Sequence, residues 1–211
     1  YVYKGRYTNQ DGADAWKNVL EFEKRVGKRG QTILEFVQES DGNVSELAEA
    51  ELGYKHALSF SERHILSGAA VVAVPIEADG DGELQTYLAY GRILSPSWIF
   101  QSSLRLKFPF EGFDDGAAEL AGIVHWVHTP WPRSVFPALE AVAEVPFETG
   151  PGEDSVQWSL VPQVRIGISK RGHVALNVGA EFPLNERDRY DWRAYVYLIW
   201  DFADGGFFEA W

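Results

Sequence analysis

Residues 173–202 read HVALNVGAEFPLNERDRYDWRAYVYLIWDF. Two alternating runs flank the polar connection at 185–189. In the first run the even positions are Val174, Leu176, Val178, Ala180 and Phe182, while the odd ones include His173, Asn177 and Glu181. In the second the even positions are Trp192, Ala194, Val196, Leu198, Trp200 and Phe202, and the odd ones include Arg193, Tyr195, Tyr197 and Asp201. A period of two means extended backbone whose side chains point alternately to two faces, one apolar and one polar.

The same period governs the rest of the chain. In 98–110, Gln101, Ser103, Arg105 and Lys107 oppose Phe100, Leu104, Leu106 and Phe108. In 135–147, Glu140 and Glu144 oppose Leu139, Ala141, Ala143, Val145 and Phe147. Twelve such segments are predicted, at 1–7, 16–27, 31–40, 47–59, 65–76, 84–95, 98–110, 117–128, 135–147, 156–169, 173–183 and 191–202. Most are about twice as long as the strands of soluble proteins, which usually run about 5–6 residues. No run of roughly 18 apolar residues exists, so no transmembrane helix is predicted; a barrel strand crosses with only about 9–11 alternating residues.

One apolar and one charged face also suit a soluble sandwich or a lipocalin-like barrel, with the apolar side inward. The connections separate the two readings. Those at 8–14, 41–46, 77–83, 111–116, 148–154 and 185–189 carry sixteen acidic residues and two basic ones. Those at 27–30, 61–64, 95–97, 129–134 and 169–172 are mostly tighter, with six basic residues and one acidic. In a meander, alternate connections lie at opposite ends, so one rim is acidic and longer-looped and the other tight and mildly basic. Short turns at one end and longer loops at the other mark an outer-membrane barrel. The eight tryptophans fall mostly near strand ends, where indole rings favour the headgroup level.

The expected fold is therefore all-β: a closed antiparallel up-and-down transmembrane β-barrel of about twelve strands, with ten or fourteen as alternatives. It forms one domain over 1–211 and sits in a bacterial outer membrane. Leu104, Leu106, Leu176, Val178, Val196 and Leu198 should face lipid. The formal charge of −12 argues against nucleic acid as a partner, and the absence of cysteine excludes disulfides and thiolate metal sites. Methionine is absent even at position 1, which fits a chain from which a secretory signal has been removed.

A cadence in the chain carries a resemblance. LGYKHAL at 52–58, PALEAVAEV at 137–145, VPQVRIGIS at 161–169, GHVALNVGAEFPL at 172–184 and YLIWDF at 197–202 resemble the outer-membrane transporters grouped with the meta-pathway of phenol degradation. The similarity covers roughly 47–202. It implies an outer-membrane channel that imports hydrophobic or aromatic compounds.

On the polar face, Arg105, Glu140, Glu144, Arg165, Glu181, Arg193 and Asp201 are the candidate lumen-lining residues. They admit two readings: a charged pore lining that selects solutes, or a ladder of ion pairs that fills a narrow lumen. His125 and His128, three apart in one strand, face opposite sides and cannot share a metal. Asp79 and Asp81 match only a fragment of a calcium loop. No serine elbow or phosphate-cradling glycine loop occurs. No catalytic, cofactor-binding or metal residue is assigned, and no cofactor is expected. The expected partners are outer-membrane lipid and lipopolysaccharide, a small-molecule solute, and a periplasmic protein docked on the basic rim. The competing functions are a solute channel, a structural barrel that anchors or sheathes a partner, and, ranked last, an outer-membrane enzyme.

Overall fold

The computed structural model describes residues 2–10, 13–40, 44–76, 81–112, 115–127, 135–148, 156–169, 174–185 and 190–200. Twelve strands follow one another: β1 Val2–Gln10, β2 Ala13–Val26, β3 Gly30–Ser40, β4 Ser45–Phe60, β5 His64–Pro75, β6 Glu83–Ser95, β7 Trp98–Pro109, β8 Ala117–Trp126, β9 Val135–Pro146, β10 Gln157–Gly167, β11 Val174–Pro183 and β12 Trp192–Trp200. Each pairs antiparallel with its sequence neighbours, and β1 pairs with β12 from Val2↔Ile199 to Asn9↔Trp192, which closes the barrel. Closure leaves no unpaired strand edge, the condition for a sheet to survive in hydrocarbon. The expected twelve-stranded up-and-down barrel is the observed one.

The register carries one parity around the whole wall. Lys4 pairs with Tyr197, Arg105 with Glu119, Arg165 with Asn177 and Glu181 with Arg193, so these polar side chains share the inner face. Leu88 pairs with Leu104, Leu104 with Leu120 and Val178 with Val196 on the outer face. Leu52 is 65% exposed and Leu120 55%, whereas Val37 and Val71, on the inner parity, are at most 2% exposed. In water this arrangement would be inverted, because exposed leucine costs free energy and buried charge costs more. A wall that shows leucine outward and carboxylates inward is built for a bilayer, and closed barrels of this type sit in the outer membrane.

Aromatic rings cluster at both ends of the outer wall. Tyr7 packs on Trp16 and Trp192 at 4.8 and 5.0 Å between ring centroids, near the acidic rim. Trp98 stacks on Trp126 at 6.3 Å near the other rim. Both places are where amphipathic rings meet headgroups.

The expected connection at 8–14 is strand almost throughout: β1 runs to Gln10, which pairs with Ala13. The reason is local. Asp14 accepts hydrogen bonds from the Tyr7 hydroxyl and from Asn9 Nδ2 (3.0 Å), and the Tyr7–Trp16 contact bridges the two strands, so polar residues that look loop-like pair across the hairpin. At the opposite end the turn from β2 to β3 is tight and uses Gly27 at φ 67°, a conformation costly for any residue with a Cβ. Register shifts at Val37/Gln38, Ala57/Ser59 and Ile93/Ser95 mark bulges near the rims.

Candidate functional site: the lumen

The inner wall divides into two halves of different character. Along β1–β5 it is filled. Lys4 pairs with Glu21 and with Glu35, the latter at 3.2 Å. Lys55 reaches Glu23 at 2.5 Å, and Gln31 donates to the same carboxylate at 2.8 Å. Lys17 holds Glu39 at 2.8 Å nearer the acidic rim. Between these pairs Val19, Ile33, Val37, Val71 and Ala73 are buried. Gly53 makes this packing fit: a Cβ there would lie 2.6 Å from a Val71 methyl. Ammonium groups paired with two carboxylates or with a carboxylate and its amide donor are the arrangement that tolerates enclosure of charge.

Along β7–β12 the wall is open. An outer chamber of about 470 Å³ is lined by Arg6, Arg105, Lys107, Glu119, Glu140, Glu144, Glu181, Tyr190 and Arg193 among others. An inner chamber of about 430 Å³ is lined by Gln101, His125, Arg165, Ile65, Ile123 and Ile199 among others. The two adjoin, because both are bounded by Ser103, Ala121, Glu140, Gln163, Asn177 and Tyr197. A smaller space of about 280 Å³ opens at the acidic rim above the filled half, between Arg6, Lys17 and Glu39.

The polar groups of the open half are ordered by hydrogen bonds. Glu181 is saturated: it accepts from Ser159 (2.6 Å), Tyr190 (2.8 Å) and Tyr195, and Arg193 lies 3.7 Å away. The Arg193 guanidinium also sits 3.7 Å from the centroid of the Tyr190 ring. Tyr190 belongs to the connection between β11 and β12, yet only 1% of it is exposed. Burial, and then the Glu181 charge, push its hydroxyl pKa above the ordinary tyrosine range. Deeper in, Asn177 donates to Gln163 (2.6 Å), which donates to Glu140 (2.6 Å). His125 shares a hydrogen bond of 2.7 Å with Gln101.

The structure places Arg105, Glu140, Glu144, Glu181 and Arg193 on the outer chamber and Arg165 on the inner one, with Glu140 at their junction. Asp201 lies outside the described residues. The expectation named no aromatic in the lumen. Tyr87, Tyr195 and Tyr197 share the parity of the charged residues, so the alternation itself was the signal that placed them. Tyr190 sits in a connection, where no period exists to find it. Among the described residues no group of three histidine or acidic side chains is placed to hold a metal. Ser61 Oγ does lie 2.7 Å from His64 Nδ1, but it also accepts the backbone N–H groups of Arg63 and His64, which makes it the cap of a tight turn.

No protein-family model matches the chain, and no curated protein matches it in sequence. Solved structures do match it in shape. The KdgM porin superposes with a TM-score of 0.65 at 10% identity, covering 96% of this chain and 99% of the other. The NanC porin gives 0.67 at 8% identity, with 94% and 99% covered. KdgM in complex with disordered oligogalacturonate gives 0.67 at 10% identity, with 96% and 99% covered. The fold is that of these porins. Because nearly the whole of each chain is matched, strand number and closure agree along with overall shape. At this identity the match concerns architecture and leaves the inner side chains to be read from this chain alone.

Proposed function

We propose that this chain is an outer-membrane channel for small, largely hydrophilic solutes, whose path follows the β7–β12 wall. The observation that carries the reading is the pair of adjoining chambers, which together reach from the acidic end of the barrel to the basic end. The wall they border presents hydrogen-bonding groups, as a path for hydrated solutes requires. The likeness in fold to the KdgM and NanC porins supports it. The hydrophobic or aromatic solute implied by the resemblance to the meta-pathway transporters draws support from one place. Ile65, Ile123, Ile199 and the Tyr197 ring give the inner chamber an apolar side, against which the ring of an amphipathic solute would lie. An acidic periplasmic protein would meet Lys28, Arg29 and Arg63, all exposed on the tight rim.

Reconstitution in planar bilayers tests the channel. Discrete single-channel steps are expected, and liposomes carrying the protein should swell in small sugars and amino acids. A barrel that inserts and folds but passes neither ions nor solutes would refute the reading and favour a structural barrel.

A further inference from the structure

The outer chamber borders arginine N–H groups that its own wall leaves without an acceptor and a carboxylate, Glu119, that faces the cavity half-exposed. Arg105 and Glu119 are direct cross-strand partners of β7 and β8. Their Cβ atoms are therefore about 5 Å apart, the spacing at which opposite charges ordinarily pair. They do not pair. The Arg105 guanidinium lies 4.7 Å from the centroid of the Tyr87 ring, and the Tyr87 hydroxyl is tied by a 2.7 Å hydrogen bond to Gln85. Ring and guanidinium hold each other, and the guanidinium makes no contact within 4 Å with Glu119. The Nε atoms of Arg105 and of Arg6 are buried with no hydrogen-bond acceptor. Both guanidiniums line the one chamber. Glu119 makes no hydrogen bond or ion pair within 4 Å among the described residues. Glu140 accepts from Gln163 through Oε2 alone.

A buried guanidinium N–H without an acceptor is costly, whereas the half-exposed Glu119 carboxylate is free to accept from a solute in the chamber. A purely anionic solute would answer the arginines and meet Glu119 and Glu140 as like charges. A purely cationic one would do the reverse. A solute with both an anionic and a cationic group answers both. The chamber's volume of about 470 Å³ falls within the usual range for small-ligand sites.

We propose that the outer chamber is a binding site for small amphoteric solutes, an α-amino acid or a short peptide, with the carboxylate held by Arg6 and Arg105 and the ammonium by Glu119. The site deepens the channel reading by naming the solute class that pauses in its outer half. Tyr87 is a positioning residue: it keeps Arg105 available to the ligand by keeping it from Glu119.

The test measures binding and conduction separately. In detergent micelles, calorimetry with glycylglycine, succinate and ethylenediamine as probes should show glycylglycine bound at least tenfold more tightly than either of the others. R105Q and E119Q should each weaken glycylglycine binding about tenfold or more. Y87F, which keeps the ring, should retain binding, whereas Y87L should lose it because Arg105 is then released to Glu119. In planar bilayers, glycylglycine should interrupt the ion current of the unaltered protein and not that of E119Q. Equal or tighter binding of succinate, or E119Q binding glycylglycine as the unaltered protein does, would overturn the site while leaving the channel intact. Glycylglycine binding by a barrel that carries no current would do the opposite: the site would stand and the channel reading would fall.

Discussion

The two halves of the lumen use the same residue types to opposite ends. Along β1–β5 each lysine on the inner face is closed onto one or two glutamates, and valines fill the gaps between the pairs. Along β7–β12, arginines and glutamates also stand on the inner face, but several face a cavity instead of each other. The difference lies in what neighbours each charge. Lys4 has Glu21 on the adjoining strand and Glu35 on the next, both within reach of a flexible stem. Arg105 has one cross-strand carboxylate and a tyrosine ring that competes for it. Charge content alone therefore does not decide whether a barrel interior is a plug or a path; pairing geometry does.

The comparison can first be sharpened from outside. If the asymmetry belongs to the lumen alone, the lipid-facing wall should be indifferent to it. Leu52 on β4 and Leu104 on β7 both lie near the middle of their strands and face outward. L52R and L104R should each cost about 2–4 kcal/mol of folding free energy in bilayers, the range for a midplane cation. A neutral result at Leu104 with a large one at Leu52 would mean that the open half is not embedded as the filled half is.

Inside, the filled half should answer strongly to loss of one partner. K4M leaves Glu21 and Glu35 without their shared cation. We expect a loss of about 2–3 kcal/mol, less than the roughly 3–5 of a fully buried pair, because Lys4 keeps a third of its side chain exposed. Urea titration in liposomes measures it. A loss below about 0.5 kcal/mol would make this half as adaptable as the other.

Within the open half, the Glu181 cluster is organised like the filled half. Y190F removes one of its hydroxyl donors and should cost about 1.5 kcal/mol, as for a hydrogen bond to a charged acceptor. The same hydroxyl has a folded-state pKa raised above its unfolded value of about 10, so its contribution is complete below about pH 10 and fades as pH rises further. Y190F should accordingly lose part of the alkaline sensitivity of the unaltered barrel; an identical alkaline profile would remove Tyr190 from the account.

The smallest effect separates the halves by conduction. R105Q should shift the potassium-to-chloride permeability ratio by about twofold, or about 0.4 kcal/mol, because an unneutralised charge bordering the path sets its selectivity. The double substitution K55Q/E23Q should leave the ratio close to its original value, since it removes both members of a closed pair and no net charge. Equal shifts from both would erase the distinction between path and plug.

Much of this molecule was legible in one dimension. Strand number, the two faces and the sorting of connections into two rims all follow from a period of two, and that period is a local property of extended backbone. The polar face of 191–202 already carried Arg193, Tyr195 and Tyr197 on one parity, and the register sets them beside Thr8, Arg6 and Lys4. What alternation cannot supply is the identity of the inner neighbour. Lys4 meets Tyr197 only because the first strand closes on the last, and Arg105 lies on the Tyr87 ring only because the register sets the two opposite each other. Tyr190 reaches Glu181 from a connection with no pattern at all. Alternation along the chain dictates that there is an inside and which residue types line it. Which charges cancel and which stay open is settled by the closed barrel, because Coulomb and hydrogen-bond energies depend on distances of a few ångströms that only closure and register set.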